Sequence, residues 1–224
     1  PETDRDHGGE PGHPSTMVTV PAAATPLDQT RPFGVYVHIP FCRKRCDYCA
    51  FATWTDRHHL QDCYLAACRR QIDEARPSLP LVTSVFVGGG TPSLVDPELL
   101  VNVLDGIPLA RGAEVTIECN PDDLTPELAQ RYATGPVTRL SIGVQSMVPD
   151  VLGLLGREHD PANVSRAVAA ARGAGLHVNL DLVYGSRGET DTQWARTVAA
   201  AVDLEPDHLS AYALTVEAGT PLAA

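Results

Sequence analysis

Long hydrophobic runs are missing from this 224-residue sequence, and so is any excess of positive charge. No apolar stretch approaches the roughly 20 residues that a membrane-spanning helix requires, and no charged, apolar and small-residue order indicates a signal peptide. Lys and Arg number 17 against 28 Asp and Glu, for a formal net charge of -11, which argues against broad, charge-driven nucleic-acid binding. We therefore expect a cytoplasmic protein with no membrane span and no nucleic-acid partner.

Cysteine is too scarce for a disulfide framework, because six residues in 224 lack the density and the small size of a disulfide-rich secreted domain. The hydrophobic content of 43% is enough for one substantial core. Residues 1–30 gather Pro, Gly, Thr and acidic residues with little apolar periodicity, so we expect a disordered leader there. Residues 31–224 are expected to form a single folded domain.

Three of the six cysteines are concentrated in one short segment. Cys42, Cys46 and Cys49 have a C-x3-C-x2-C spacing and follow a predicted strand at 35–39. Iron–sulfur clusters bind Cys thiolates, typically four for a 4Fe–4S cube, so three thiols would leave one iron open. An amino and a carboxylate group could chelate that iron, and S-adenosylmethionine (SAM) is the cofactor that joins such clusters to radical chemistry. A structural zinc site is the alternative, but zinc sites usually close with four ligands and no second Cys or His pair follows at a suitable distance.

Basic residues lie between the first two thiols, as Arg43-Lys44-Arg45. Positive charge beside thiolates favours their ionised form, although three basic residues on a loop are more often simply solvated. The other cysteines, Cys63, Cys68 and Cys119, are expected to behave as small buried hydrophobic residues.

Strands and helices alternate through the rest of the chain. The pattern predicts further strands at 82–87, 114–119, 138–144, 176–184 and 208–214, and helices at 60–75, 97–103, 126–132, 161–174 and 191–204. Strands separated by helices predict a parallel α/β sheet, either doubly wound or a partial barrel. Six units fall short of the eight that close a barrel, so an open (β/α)6 arc is the better fit, with ligands at the carboxyl ends of the strands.

A glycine turn, Gly88-Gly89-Gly90-Thr91-Pro92, follows the second strand. Residues without Cβ allow a ligand to approach the backbone closely. The turn has neither the Lys-Ser/Thr pair of a P-loop nor the spacing of a dinucleotide-binding fingerprint.

Together these segments resemble the radical SAM superfamily and, more narrowly, its oxygen-independent coproporphyrinogen oxidase group. The segments that carry the resemblance are Tyr36–Cys42, Gly88–Ser93, Arg139–Ser146, Leu155–His159 and Asp181–Gly185, and it covers the chain from about Phe33 onward. The group contains coproporphyrinogen III dehydrogenases and the similar HemW proteins, which are regarded as heme chaperones. The resemblance implies an open, partial (β/α)6 TIM-like barrel of the radical SAM type.

The resemblance also implies roles for individual residues. It nominates Cys42, Cys46 and Cys49 for the 4Fe–4S cluster, Tyr36 and Tyr48 as flanks of bound SAM, Gly89, Gly90 and Thr91 for its methionine part, and Glu118, Gln145, Arg157 and Asp181 for its ribose, carboxylate or sulfonium surroundings. These types suit the chemistry, since carboxylates accept hydrogen bonds from ribose hydroxyls and a guanidinium fork binds a carboxylate. The structural alternatives are that Gln145 or Asp181 caps a helix and that Arg157 pairs with a surface acid.

Two details bear on the comparison with the branches of the group. The dehydrogenases resemble C-x3-C-x2-C-x-C, whereas this sequence has Phe51 at the last position, which favours the HemW branch; we expect that ring to pack under the cysteine loop. Both branches carry a C-terminal portion that is expected to be absent here. Ala50 and the segment 185–189 depart from the HemW pattern, which bears on loop conformation.

The resemblance therefore implies a heme chaperone, with heme as cargo, heme-acceptor proteins as partners and a reductant for the cluster. The alternative is a coproporphyrinogen III dehydrogenase, which would cleave SAM reductively to a 5'-deoxyadenosyl radical and decarboxylate propionate side chains to vinyl groups. A structural zinc-binding module is the third interpretation.

Overall fold

A computed structural model describes residues 31–223, so the leader predicted at 1–30 lies outside the described residues. In the described range the chain forms six strands: β1 (Gly34–Ile39), β2 (Val82–Gly89), β3 (Leu109–Cys119), β4 (Arg139–Gln145), β5 (His177–Tyr184) and β6 (His208–Ala213). All neighbouring strands are parallel, and their order in the sheet is the order in the sequence. A doubly wound sheet would reverse its strand order. The prediction of an open, six-stranded partial barrel is therefore confirmed.

Six α-helices lie between the strands: α1 (Gln61–Ala75), α2 (Pro97–Asp105), α3 (Pro126–Ala133), α4 (Pro149–Leu154), α5 (Pro161–Gly173) and α6 (Asp191–Asp203). Short polar caps fix where several of them begin. The Asp96 carboxylate accepts from two N–H groups of the first turn of α2, and the Thr125 hydroxyl caps α3, each followed by a proline in the first turn. None of the helices in the described part of the chain is both long and apolar enough to cross a membrane.

The sheet has two different faces, because side chains alternate along each strand. One face carries fully buried aliphatic residues of the central strands, such as Val87, Ile117 and Leu140, and they form one core with the helices. Because every crossover proceeds in the same direction, α1 packs on α2, α2 on α3 and α3 on α5. The opposite, inner face is mostly polar. It carries rows of residues in register, among them Glu118, Ser141, Asn179 and His208 on adjacent strands.

Two elements and one cysteine depart from the predictions. Helix α4, which has Pro149 in its first turn, was not predicted, because its six residues are too few to show a helical pattern of apolar residues. Strand β3 begins at Leu109 instead of Glu114, with an irregular register against Val82–Ser84. Cys63 is exposed on α1, so the expectation of a buried thiol is wrong there, whereas Cys119 is buried as expected.

Candidate functional site

The site predicted at the carboxyl ends of the strands is organised around the loop that follows β1, residues 40–57, which we call the cysteine loop. Backbone hydrogen bonds hold this loop both to itself and to the glycine turn. The Trp54 N–H donates to Pro40 O at 2.8 Å and the Cys42 N–H to Trp54 O at 3.1 Å, so the loop closes on itself. The Gly90 N–H donates to Ile39 O and the Thr91 N–H to Phe41 O, both at 2.7 Å, which fixes the loop against the glycine turn.

The three thiols lie in this loop, unbridged and in different surroundings. Cys42 is buried, which raises the pKa of its thiol, and the Thr91 hydroxyl donates to its sulfur at 3.7 Å. The Arg157 guanidinium donates from Nη1 to Cys46 Sγ at 3.5 Å. A donor set of three thiols, beside a hydroxyl and a guanidinium that can hydrogen-bond to sulfur, fits a cluster that carries negative charge.

A single zinc ion fits these residues less well. Ligands of one tetrahedral ion must converge on a point about 2.3 Å from each sulfur, whereas thiolates on a cube each bind a different iron. Between residues 31 and 223 no three His, Cys, Asp or Glu side chains are arranged to hold one metal ion.

The basic run 43–45 does not contact the thiols. Arg43 pairs with the nearly buried Asp123 at 2.5 Å, Lys44 with Glu158 at 2.6 Å, and Arg45 donates to Cys49 O at 3.1 Å. Arg43 and Lys44 thus connect the cysteine loop to the loops after β3 and α4, whereas Arg45 bonds within the cysteine loop. The cation beside a thiol is instead Arg157, which the run of basic residues did not indicate.

The glycine turn is required by the packing of the protein itself. A Cβ on Gly90 would lie 2.6 Å from Phe41 O and 2.7 Å from Ile39 O, and one on Gly88 would lie 2.7 Å from Glu118 Oε2. Gly89 has φ 109°, and a Cβ there would overlap the His38 ring. The close approach that these glycines permit is thus, first of all, that of β1, the cysteine loop and β3.

Glu118 and Tyr36 lie on the inner face next to this turn. Glu118 is half-buried and accepts the Gly89 N–H at 3.1 Å. Burial raises its pKa to about 7; the Gly89 N–H opposes that rise and the charge of Asp181 adds to it. The Tyr36 ring is 56% exposed, stacks on Phe86 with centroids 6.3 Å apart, and its hydroxyl hydrogen-bonds to His38 Nδ1 at 3.0 Å.

Gln145 and Arg157 meet over the end of β4. Gln145 has φ 61°, a left-handed conformation that is strained for a residue with a side chain, at the point where the register with β5 shifts. Arg157 donates from Nη2 to Gly143 O at 3.0 Å, and a Cβ on Gly143 would lie 3.0 Å from Gln145 Nε2. Arg157 therefore connects β4 to Cys46 and does not make the surface ion pair considered as its alternative.

Asp181 belongs to a network of buried polar groups. Its carboxylate accepts from Ser141 Oγ at 2.6 Å and from Asn179 Nδ2 at 2.9 Å. Ser141 and Asn179 are 2% and 3% exposed, so the network lies inside the sheet and Asp181 caps no helix. Neither Ser141 nor Asn179 was nominated for the site from the sequence, although Ser141 lies in the segment Arg139–Ser146 and Asn179 is two residues from Asp181.

Tyr48 and Phe51 take opposite positions on the cysteine loop. The Tyr48 ring packs against Val148, Val151, Leu155 and Val183, and its burial raises the pKa of the phenol. Phe51 is 65% exposed. The expectation that its ring packs under the loop is wrong; the aromatic residues of this loop that pack against the apolar clusters are Tyr48 and Phe41.

The chain matches the family model described as the radical SAM superfamily over residues 36–201. It is 45% identical over 203 residues to a Mycobacterium tuberculosis protein named heme chaperone HemW, an alignment that covers 86% of this chain and 52% of the relative. A protein of the same name from Escherichia coli is 36% identical over 197 residues, which covers 84% of this chain and 52% of that relative. The chain thus spans about half the length of the curated relatives it matches.

A solved structure resembles the fold closely. Coproporphyrinogen III oxidase (HemN) from Escherichia coli, described as a radical SAM enzyme, superposes with a TM-score of 0.76 at 31% identity. The match covers 84% of this chain and 45% of that one.

Proposed function

The chain belongs to the radical SAM superfamily, in the HemW branch of its HemN-like group, and from that membership we propose that it binds heme and delivers it to acceptor proteins. The observation that carries the proposal is its similarity, across most of its described residues, to relatives named heme chaperones. We propose further that Cys42, Cys46 and Cys49 bind a 4Fe–4S cluster and that SAM binds beside it on the inner face. Bound together, these groups supply one-electron reductive chemistry.

The contacts of the cysteine loop support the cluster proposal. Arg157 faces the Cys46 sulfur and Thr91 the Cys42 sulfur, so two of the three thiolates would keep a hydrogen-bond donor when they ligate iron. Such donors lower the negative charge density on sulfur and tune a cluster's potential. Arg45 stabilises the loop through the Cys49 carbonyl.

The inner face supports the SAM proposal. Glu118 offers a carboxyl group with one described donor, Gly89 N–H, and Asp181 keeps its carboxylate fixed by Ser141 and Asn179. Both suit hydroxyl groups of a ribose, since each carboxylate oxygen accepts more than one hydrogen bond. Gln145, held in its strained conformation, presents an amide beside Arg157.

Replacing the loop cysteines singly by Ala tests the cluster assignment. Each of Cys42→Ala, Cys46→Ala and Cys49→Ala is expected to lose bound iron and sulfide after anaerobic reconstitution, because three thiolates leave no spare ligand. Cys63→Ala, on the exposed surface of α1, is the matched control and should retain both. Full iron in any loop variant, or stoichiometric zinc in the wild type, would contradict the assignment.

A heme-transfer experiment tests the function itself. The full-length protein is titrated with hemin and then mixed with a heme-free acceptor hemoprotein, and the movement of heme is followed by absorbance. We expect stoichiometric binding followed by transfer that is faster than the release of hemin to buffer. Absence of stoichiometric hemin binding would overturn the proposal.

A further inference from the structure

A protein that carries heme needs a group to hold its iron, and an imidazole is a common axial ligand. The chain has eight histidines, of which His38, His58, His59, His159, His177 and His208 lie in the described residues. An imidazole can ligate iron only if one ring nitrogen has a free lone pair and is accessible. Each described histidine can be judged by that requirement.

Three of the six are excluded by their contacts. His38 uses Nδ1 with the Tyr36 hydroxyl and Nε2 with Ala52 O at 2.9 Å. His58 uses Nε2 with Cys42 O at 3.1 Å and Nδ1 with the Gln61 side chain at 3.2 Å. His159 is 5% exposed, and burial followed by the charge of Arg157 lowers its pKa to about 4. None of these rings can present a nitrogen to a heme without losing its place in the fold.

His208 differs from the remaining two because a buried network fixes its orientation. Its Nδ1 lies 2.6 Å from Asn179 Oδ1, and Ser210 Oγ donates to the same oxygen at 3.1 Å. His177 contacts only the half-exposed Asp207, at 3.1 Å, with its own side chain 70% exposed. No hydrogen bond within residues 31–223 holds the ring of His59.

The proton positions in the His208 network follow from Asp181. A carboxylate only accepts, so the Asn179 group facing Asp181 must be the donating Nδ2, at 2.9 Å, and the group facing His208 must be the accepting Oδ1. His208 therefore carries its proton on Nδ1. The lone pair of the neutral ring lies on Nε2, which has no hydrogen-bond partner among the described residues.

This arrangement is the one that metal-ligating histidines adopt. Such a histidine donates its other ring N–H to a carbonyl or carboxylate, which fixes the tautomer and the ring direction. Asn179, 3% exposed, provides that carbonyl here, while His208 itself is exposed on the inner face of the edge strand β6.

On the basis of the heme-binding function proposed above, we propose that His208 is an axial ligand of the heme iron, bound at the inner face of the β5–β6 edge. Heme fits this position better than a bare ion. A free metal ion needs three or four protein ligands, and no such group of three side chains is present in the described part of the chain. Heme iron already has four porphyrin nitrogens and needs only one or two ligands from protein. Tyr212 lies two positions past Ser210, on the same face of the strand, and is 56% exposed. Its ring therefore adds apolar surface for a porphyrin edge.

Hemin titration of the full-length protein and its variants tests the assignment. The wild type is expected to bind one hemin with the absorbance and spin state of an imidazole-ligated iron. His208→Ala should weaken hemin binding by about tenfold or more, a difference of about 1.4 kcal/mol, and lose the imidazole signature. Added free imidazole should restore that signature in His208→Ala. His177→Ala and His59→Ala, two exposed histidines with the same change in size and charge, should behave as the wild type.

The outcomes separate this inference from the proposed function. If the wild type and His208→Ala bind hemin with equal affinity and identical spectra, the ligand assignment is wrong and heme binding stands. If the wild type binds no hemin, both fall. Equally tight, His208-dependent binding of Zn²⁺ alone would overturn the choice of heme over a bare ion.

Discussion

Glu118 illustrates how the fold determines the protonation of a single residue. Its carboxyl group is buried against β2, and Gly89 N–H alone among the described groups donates to it, at 3.1 Å. Burial outweighs that hydrogen bond and, with the charge of Asp181, raises the pKa from 4.5 to about 7. The folded protein therefore binds a proton that the unfolded chain has released at the same pH.

The expected consequence is a stability that declines as pH rises. A folded pKa above the unfolded value makes the contribution of Glu118 complete below pH of about 4 and lost as pH passes through about 7. We expect urea unfolding of the cofactor-free protein to show that, between pH 5 and 8, the free energy of unfolding of the wild type falls by up to about 3 kcal/mol relative to that of Glu118→Gln. The size follows from about 1.36 kcal/mol per pKa unit. Glu74→Gln, an exposed position on α1, is the control. If the free energies of unfolding of the wild type and Glu118→Gln change in parallel with pH, the raised pKa of Glu118 is wrong.

Gln145 illustrates backbone strain at a single residue. Gln145 and Glu205 are the two non-glycine residues with positive φ in the described range, at 61° and 51°. Glycine relieves such strain but adds freedom to the unfolded chain, so Gln145→Gly and Glu205→Gly should each change the free energy of unfolding by only about 0 to 1 kcal/mol. SAM affinity measured by calorimetry should fall only in Gln145→Gly, because Glu205 lies in the turn after α6. Unchanged SAM affinity in Gln145→Gly would remove this residue from the site.

At the scale of elements, β1, the cysteine loop and the glycine turn form one packed unit. The Gly90 and Thr91 N–H groups donate to backbone carbonyls of β1 and the cysteine loop, at 2.7 Å each. A substitution that shifts the backbone of the turn is therefore expected to shift the segment that carries the three thiols as well.

Gly90→Ala is expected to disturb the cysteine loop as well as any ligand. Its Cβ would lie between 2.6 and 2.9 Å from three backbone atoms of Ile39 and Phe41, which cannot move as a flexible side chain would. We expect a loss of about 1 to 3 kcal/mol of stability, the scale of an overpacked core, together with reduced iron incorporation. Gly153→Ala in α4 is the control, since a Cβ there meets nothing within 4 Å. Weakened SAM binding with normal iron and normal stability would show that the turn touches the ligand alone.

The elements were largely predictable because their signals are local. Alternating apolar residues, caps such as Asp96 and Thr125, and first-turn prolines mark where strands and helices begin. The loop interactions were not predictable in this way. The contact of Arg157 with Cys46 joins residues 111 positions apart, and nothing in the basic run 43–45 indicated that it would bind Asp123 and Glu158 instead. The exposure of Phe51 was likewise not predictable, because the apolar pattern does not show that Tyr48 is the aromatic residue of this loop that packs against Val148 and Val151.

At the scale of the whole molecule, the sheet is open and its inner face is polar. Strands β1 and β6 each pair with one neighbour in the described range, so the sheet is not closed into a barrel there. The proposed SAM and heme positions lie on this face, and the proposed cluster lies beside it in the cysteine loop. Asn179 hydrogen-bonds to both Asp181 and His208, so it links the proposed SAM site to the proposed heme ligand.

The choice between chaperone and dehydrogenase also belongs to the whole molecule, because substrate geometry must be right to about an ångström for efficient chemistry. Phe51 stands where the dehydrogenase pattern has a further cysteine and, at 65% exposure, it can be replaced with little effect on the fold. We expect the full-length protein, with SAM, a reductant and coproporphyrinogen III under anaerobic conditions, to form no protoporphyrinogen products on chromatography. Phe51→Cys should be equally inactive, since one thiol does not create a substrate site, and Phe51→Ser controls for loss of the ring. Wild-type turnover at even about 0.01 per second, a hundredth of the low end of typical enzyme rates, would make the dehydrogenase the better assignment.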